Sequence, residues 1–121
     1  MVRMARKDEL GRLGERIAAE HLEARGMRVL ERNWRCRSGE LDLVALDGDE
    51  TVFVEVKTRS GLGYGHPFEA ITARKVARLR ALASAWAEAH ERPLGRARLD
   101  AVAVLALPGE DPVVEHLRGI G

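Results

Sequence analysis

The chain has little of what disulfide-bonded, zinc-binding or membrane proteins contain. Its 121 residues include one cysteine, Cys36, which excludes an internal disulfide and a zinc site built on several thiolates. No apolar run is long enough to cross a bilayer, and no signal-peptide pattern opens the chain. We therefore expect a cytoplasmic protein without a membrane partner, folded as a single domain over residues 1–121.

The charges of the chain nearly balance but are unevenly distributed. The formal net charge of +1 does not by itself indicate a nucleic-acid-binding protein. Residues 1–37 nevertheless contain ten basic and six acidic side chains. Four basic residues also fall in one predicted helix with no acid among them: Arg74, Lys75, Arg78 and Arg80. Such a cluster is typical of phosphate-binding surfaces and, equally, of solvated helix faces.

Apolar periodicity predicts an α/β (α+β) domain in which helices flank a mixed sheet. Leu10, Leu13 and Ile17 recur at helical spacing before Gly26, and Thr72 is the expected N-cap of a second helix. The predicted elements are a helix over 8–25, strands over 27–34, 39–46 and 51–58, a helix over 72–91, and strands over 98–107 and 113–116. The order α-β-β-β-α-β suits a sheet with helices packed on it.

The second and third strands are predicted to form a β-hairpin, because Asp47-Gly48 is a strong turn signal between two apolar runs. With Gly48 and Asp49 at the tip, the opposed pairs are Leu46 with Thr51, Val44 with Phe53, Asp42 with Glu55, and Glu40 with Lys57. One face is then purely apolar and is expected to be core: Leu41, Leu43, Ala45, Val52, Val54 and Val56. The other face carries the charged side chains at the end far from the turn.

Two of these charged side chains are carboxylates that should repel, because directly opposed Cβ atoms lie about 4.5–5.5 Å apart. Asp42 and Glu55 therefore need a cation or a shared proton. Oxygen ligands suit a hard cation such as Mg²⁺, and Lys57 lies beside whatever the pair binds. The alternative is a solvated face with simple ion pairs, above all Glu40 with Lys57. That alternative leaves the repulsion between Asp42 and Glu55 unexplained.

Two other segments could contribute to such a site. A carboxylate at the edge of the apolar stripe of the first helix could reach over the sheet, and both Glu15 and Glu20 border that stripe. From the pattern alone, a solvent-facing charge is the stronger expectation for either residue. The loop over 59–70 is rich in glycine, and its Arg59, Tyr64 and His66 could contact a phosphate or a base, unless the loop is a simple connector.

The order of Asp42 and then Glu55-Val56-Lys57, on a hairpin that follows a helix, resembles the PD-(D/E)xK nuclease superfamily. More narrowly, the chain is similar to the YraN-like family of small bacterial proteins related to Holliday-junction resolvases. The matching segments are Gly14-Glu15, Arg32 to Arg35, Gly39 to Ala45, Val52 to Arg59, Ile71-Thr72 with Arg74-Lys75, and Asp100 to Val104. The chain departs from the superfamily at Gly39-Glu40, where proline is often found, and from the family at Val76, where glutamine is expected.

The resemblance implies a restriction-endonuclease-like αβββαβ core with a divalent-metal site for Mg²⁺ or Mn²⁺. It implies that Asp42, Glu55 and Glu15 hold the metal and that Lys57 completes the catalytic residues. It also favours Glu15 over Glu20 as the contribution of the first helix.

The substrate that the resemblance implies is nucleic acid, DNA in the first place, cut at its phosphodiester bonds and in branched or junction form. Arg59, Arg74, Lys75 and Arg78 would then hold the DNA backbone without reading its sequence. A homodimer is expected because resolvases are homodimers. The alternative is a non-catalytic nucleic-acid-binding or scaffold protein on the same fold.

Overall fold

The structure is a computed structural model that describes residues 2–61 and 66–121, so Tyr64 of the glycine-rich loop lies outside the described residues. Its elements are α1 (Val2–Ala24), β1 (Arg28–Cys36), β2 (Gly39–Asp47), β3 (Glu50–Arg59), a 3₁₀ turn (Pro67–Ala70), α2 (Ala73–Ala89), β4 (Ala97–Leu105) and β5 (Val113–Leu117). The predicted order of elements and the α+β class are confirmed. Among the helices of the described residues, none combines the length and apolar character needed to cross a bilayer.

The five strands form one mixed sheet in the order β1-β2-β3-β4-β5. All neighbouring pairs are antiparallel except β3 and β4, which are parallel. A parallel pair needs a crossover connection, and α2 provides it between these two strands. This arrangement is consistent with a restriction-endonuclease-like core.

The hairpin register is confirmed from the turn as far as Leu43, which pairs with Val54. The prediction of a single core face is wrong, because both faces of the sheet are covered. Ala18 and Leu22 of α1 pack against Leu43, Ala45, Val52 and Val54 of the sheet, all fully buried. Below α2 lie Val44 and Phe53, against Leu79, Leu82 and Trp86. The face of the hairpin under α2 therefore carries charged side chains only beyond the part where β2 and β3 are paired.

The alternation of side chains breaks near the start of β2, so the prediction that Leu41 shares a face with Leu43 is wrong. Leu43 belongs to the core under α1, whereas Leu41 belongs to the core under α2. Their partners on β1 are Arg32 and Trp34 respectively. Residues two apart on a regular strand share a face. Both strands therefore switch faces at the intervening residue, and on β1 that residue, Asn33, has a φ of 52°.

A buried ionic network anchors β4 to its neighbours at the turn end of the sheet. Asp100 is fully buried and accepts hydrogen bonds from Arg98 Nε at 2.8 Å, His116 Nε2 at 2.7 Å and the Gly119 N–H at 3.0 Å. Burial alone would raise the pKa of Asp100, but these hydrogen bonds outweigh it and lower the pKa. Arg98 also binds Glu50 at 2.8 Å, which connects the hairpin to the network.

Candidate active site

The first helix approaches the sheet closely at Gly14, and this approach places the adjacent Glu15 at the site. A Cβ atom on Gly14 would lie 1.8 Å from Thr58 Oγ1 on β3, so no other residue fits at this crossing without a shift. Glu15 lies one residue further along the helix and is close to the side chains of Asn33, Glu40 and Asp42. Glu20 lies apart from the site and faces Arg16 at 3.9 Å, with 68% of its side chain exposed.

Asp42 lies where the two strands of the hairpin part. Because the backbone pairing ends at Leu43 and Val54, the predicted pairing of Asp42 with Glu55 is not a ladder position. Instead the Asp42 carboxylate inserts into the ladder: the Val56 N–H donates to Asp42 Oδ2 at 2.8 Å. The carboxylate thus occupies the gap between β2 and β3.

Three carboxylates converge on this gap. One ligand oxygen from each of Glu15, Glu40 and Asp42 lies within 4.8 Å of the other two. The predicted metal set of Asp42, Glu55 and Glu15 is therefore only partly brought together, since Glu55 does not join this closest group. Glu40, for which the sequence suggested an ion pair with Lys57, takes its place.

Glu55 and Lys57 lie in the adjoining cavity, which has a volume of about 280 Å³. Its lining comprises Glu40, Asp42, Glu55, Lys57, Lys75, Arg78, Leu79 and Leu82. The neighbours of Glu55 and Lys57 on β4 are Ala101 and Ala103. These small side chains leave room for the two charged ones.

The predicted ion pair between Glu40 and Lys57 is not formed. Glu40 instead accepts a hydrogen bond from Arg35 Nε at 2.7 Å and a second one from Asn33 Nδ2 at 3.2 Å. The same Asn33 nitrogen donates to Glu15 Oε1 at 2.9 Å. Sequence reasoning missed Asn33 and Arg35 as members of the site, although both belong to the segment that carries the family resemblance.

The titration of the acidic residues reflects this crowding. Burial and the nearby Glu55 carboxylate raise the pKa of Asp42 to about 8, against the opposing hydrogen bond from Val56. Burial also raises the pKa of Glu55, although Lys57, Lys75 and Arg78 counteract it. Burial and the neighbouring Lys75 and Arg59 lower the pKa of Lys57. The carboxylates are thus only partly balanced by the cations of the chain.

The four predicted DNA-binding residues lie in three different places in the structure. Lys75 and Arg78 project from the first turns of α2, where Thr72 accepts a hydrogen bond from the Lys75 N–H at 3.2 Å, as expected for an N-cap. Arg59 lines a second cavity of about 580 Å³, together with Glu15 and Lys57. Arg74 is exposed on α2 and belongs to neither lining.

Comparison with known proteins identifies the relatives of this chain. The model of the uncharacterised protein family UPF0102 matches residues 14–104, a range that includes every candidate site residue. A UPF0102 protein of Arthrobacter sp. (strain FB24) is 58% identical over 118 residues, covering 98% of this chain and all of the relative. A UPF0102 protein of Nocardia farcinica is 48% identical over 120 residues, covering 99% of this chain and 94% of the relative. The chain therefore belongs to the uncharacterised protein family UPF0102, which is the YraN family that its motifs resemble.

Proposed function

We propose that the protein is a divalent-metal-dependent endonuclease that hydrolyses phosphodiester bonds of DNA. One observation carries the proposal: the carboxylate oxygens of Glu15, Glu40 and Asp42 lie within 4.8 Å of one another, next to a cavity lined by Lys57 and further cations. Acidic groups that could hold a metal and basic groups that could hold a phosphate thus border the same space. A site for phosphoryl chemistry explains this combination better than a solvated sheet face with simple ion pairs does.

The donor set fits Mg²⁺ or Mn²⁺, which prefer carboxylate oxygens. Asp42, Glu15 and Glu55 would hold the ion, with Glu40 as a further oxygen donor. Burial and the nearby Glu55 carboxylate raise the pKa of Asp42 to about 8, which supports this assignment because a bound cation would favour the ionised form. When bound, such an ion polarises a phosphate oxygen and lowers the pKa of a coordinated water.

The basic residues would act on the substrate itself. Hydrolysis forms a bond from a water oxygen to phosphorus, breaks the bond to one ester oxygen, and leaves that oxygen with a proton. Lys57 would bind a non-bridging oxygen and stabilise the negative charge that develops there. Lys75, Arg78 and Arg59 would contact the flanking phosphates, and such contacts position a nucleic acid without reading its sequence.

The test is cleavage of labelled linear duplex and four-way-junction DNA by the purified protein with Mg²⁺ or Mn²⁺. Asp42→Asn keeps an oxygen that accepts the Val56 N–H, so it removes charge with little effect on the fold, and Lys57→Met removes the ammonium alone. Each should lower the rate on the order of 100-fold or more. Glu110→Gln, on an exposed turn residue, should cleave like the wild type. Equal rates for all four proteins, or no cleavage by any, would contradict the proposal.

A non-catalytic DNA-binding role is the second outcome that this design separates. Under that role, the wild type would retard junction DNA in a gel without cutting it, and Asp42→Asn would bind at least as well because it removes a negative charge. Calorimetry with Mg²⁺ alone adds an independent readout. A cation site lost in Asp42→Asn supports the enzyme, whereas DNA binding without a cation site supports the binding protein.

A further inference from the structure

Asn33 connects two of the carboxylates that converge on the site. Its Nδ2 donates to Glu15 Oε1 at 2.9 Å and to Glu40 Oε1 at 3.2 Å. Because ionised carboxylates only accept hydrogen bonds, the nitrogen of the amide must face them. One side chain on β1 thus contacts both an acid from α1 and an acid from β2.

The backbone at Asn33 is suited to this task. Its φ of 52° is in the left-handed region, which asparagine tolerates better than most residues. At this residue β1 switches faces, since Arg32 pairs with Leu43 of one core and Trp34 pairs with Leu41 of the other. The left-handed turn therefore directs the amide to the place where β2 and β3 part, beside Asp42.

The hydrogen bond from Asn33 to Glu15 is not needed to form the fold, but it bears on the charges of the site. When Glu15, Glu40 and Asp42 are all ionised, each carboxylate is repelled by the other two. Arg35 holds only Glu40, at 2.7 Å. Asn33 hydrogen-bonds Glu15 and holds Glu40 with the same nitrogen.

We propose that Asn33 is a positioning residue that holds the Glu15 and Glu40 carboxylates toward Asp42 and thereby organises the cation site. This role rests on the proposed metal-dependent function. Residues that orient metal ligands by hydrogen bonds typically affect metal affinity by 10- to 100-fold when they are removed. Asn33 is exposed, so its loss should affect the site far more than the stability of the domain.

The rival explanation is that asparagine is present only because the backbone needs a left-handed residue. Two substitutions separate the explanations. Asn33→Gly keeps the backbone conformation and removes the amide, while Asn33→Ala removes the amide and strains the backbone. The positioning role predicts that both variants lose Mg²⁺ affinity equally, and that only Asn33→Ala has a lowered melting temperature.

The composition of the chain offers a direct spectroscopic probe of the contact. The sequence has no glutamine and a single asparagine, so a ¹H–¹⁵N spectrum contains one side-chain carboxamide pair, that of Asn33. In metal-free protein, Glu15→Ala should shift this pair because it removes a hydrogen-bond acceptor. Glu20→Ala, on an exposed acid of the same helix, should leave the pair in place. If the chemical shifts of the Asn33 carboxamide are the same in Glu15→Ala as in the wild type, the proposal is wrong.

Calorimetry with Mg²⁺ and Mn²⁺ alone completes the test. We expect binding to weaken roughly 10- to 100-fold in Asn33→Gly and in Asn33→Ala. If Asn33→Gly binds as tightly as the wild type, Asn33 has only a backbone role and the proposal is wrong, although the metal-dependent function stands. If the wild type binds no cation, the proposed function fails and this role with it, even where the spectrum shows the contact.

Discussion

Replacing Asp42 with asparagine should stabilise the metal-free protein at high pH. Asp42 lies in the gap of the hairpin near Glu15, Glu40 and Glu55, so its negative charge is opposed by its surroundings. Asparagine has the same shape and keeps an oxygen for the Val56 N–H. The substitution therefore removes the unfavourable charge while leaving the hydrogen bond in place.

The magnitude follows from the pKa of Asp42, which is about 8 in the folded protein against an ordinary value of 3.8. Folding takes up a proton on Asp42 between these two values, so the contribution of Asp42 to the stability falls as the pH rises from about 4 to about 8. Each pH unit corresponds to about 1.4 kcal/mol, so the difference between 3.8 and about 8 sets an upper bound of roughly 6 kcal/mol. Water that reaches the partly buried carboxylates screens some of the repulsion, so we expect about 2–3 kcal/mol.

The assay is chemical unfolding of wild type and Asp42→Asn in EDTA at several pH values. The free energy of unfolding of the variant should exceed that of the wild type by a margin that grows with pH and levels off above about pH 8. Saturating Mg²⁺ should stabilise only the wild type and close the gap, because a ligand stabilises the state that binds it. Glu110→Gln should follow the wild type throughout. A margin that does not change with pH would refute the account of a crowded carboxylate.

Further predictions concern the helix crossing, the buried network and the basic helix. Gly14→Ala should destabilise the domain by more than about 2 kcal/mol in denaturant unfolding, because the added methyl group overlaps Thr58 of β3. Gly11→Ala, whose added methyl group would have nothing within 4 Å, should instead stabilise the domain by roughly 0.5–1 kcal/mol. Similar free energies of unfolding for the two variants would contradict the packing argument. Asp100→Ala should lower the free energy of unfolding by about 3–5 kcal/mol, since it removes one carboxylate partner of Arg98 and the acceptor for His116 and the Gly119 N–H. A loss below about 1 kcal/mol would show that these donors find other partners. Arg78→Ala should weaken DNA binding and reduce its salt dependence more than Arg74→Ala in fluorescence titrations, because only the former lines the site cavity.

Local patterns in the sequence determined the elements and their order. The Asp47-Gly48 turn and the apolar runs on either side predicted the hairpin register that the structure has from Leu46 with Thr51 to Leu43 with Val54. Thr72 predicted the start of α2. These features depend on neighbours a few residues away, for which turn chemistry, capping and periodicity are sufficient.

The membership of the site was decided only by tertiary packing. Glu15 and Glu20 look alike in the sequence, and the contact of Gly14 with Thr58 of a distant strand is what brings Glu15 to the site. Glu40 turns to Asn33 and Arg35 instead of Lys57 because β1 lies on the other side of β2 and its backbone switches faces there. Strict alternation along a strand could not reveal that switch, since it arises from a left-handed residue at which two separate cores meet.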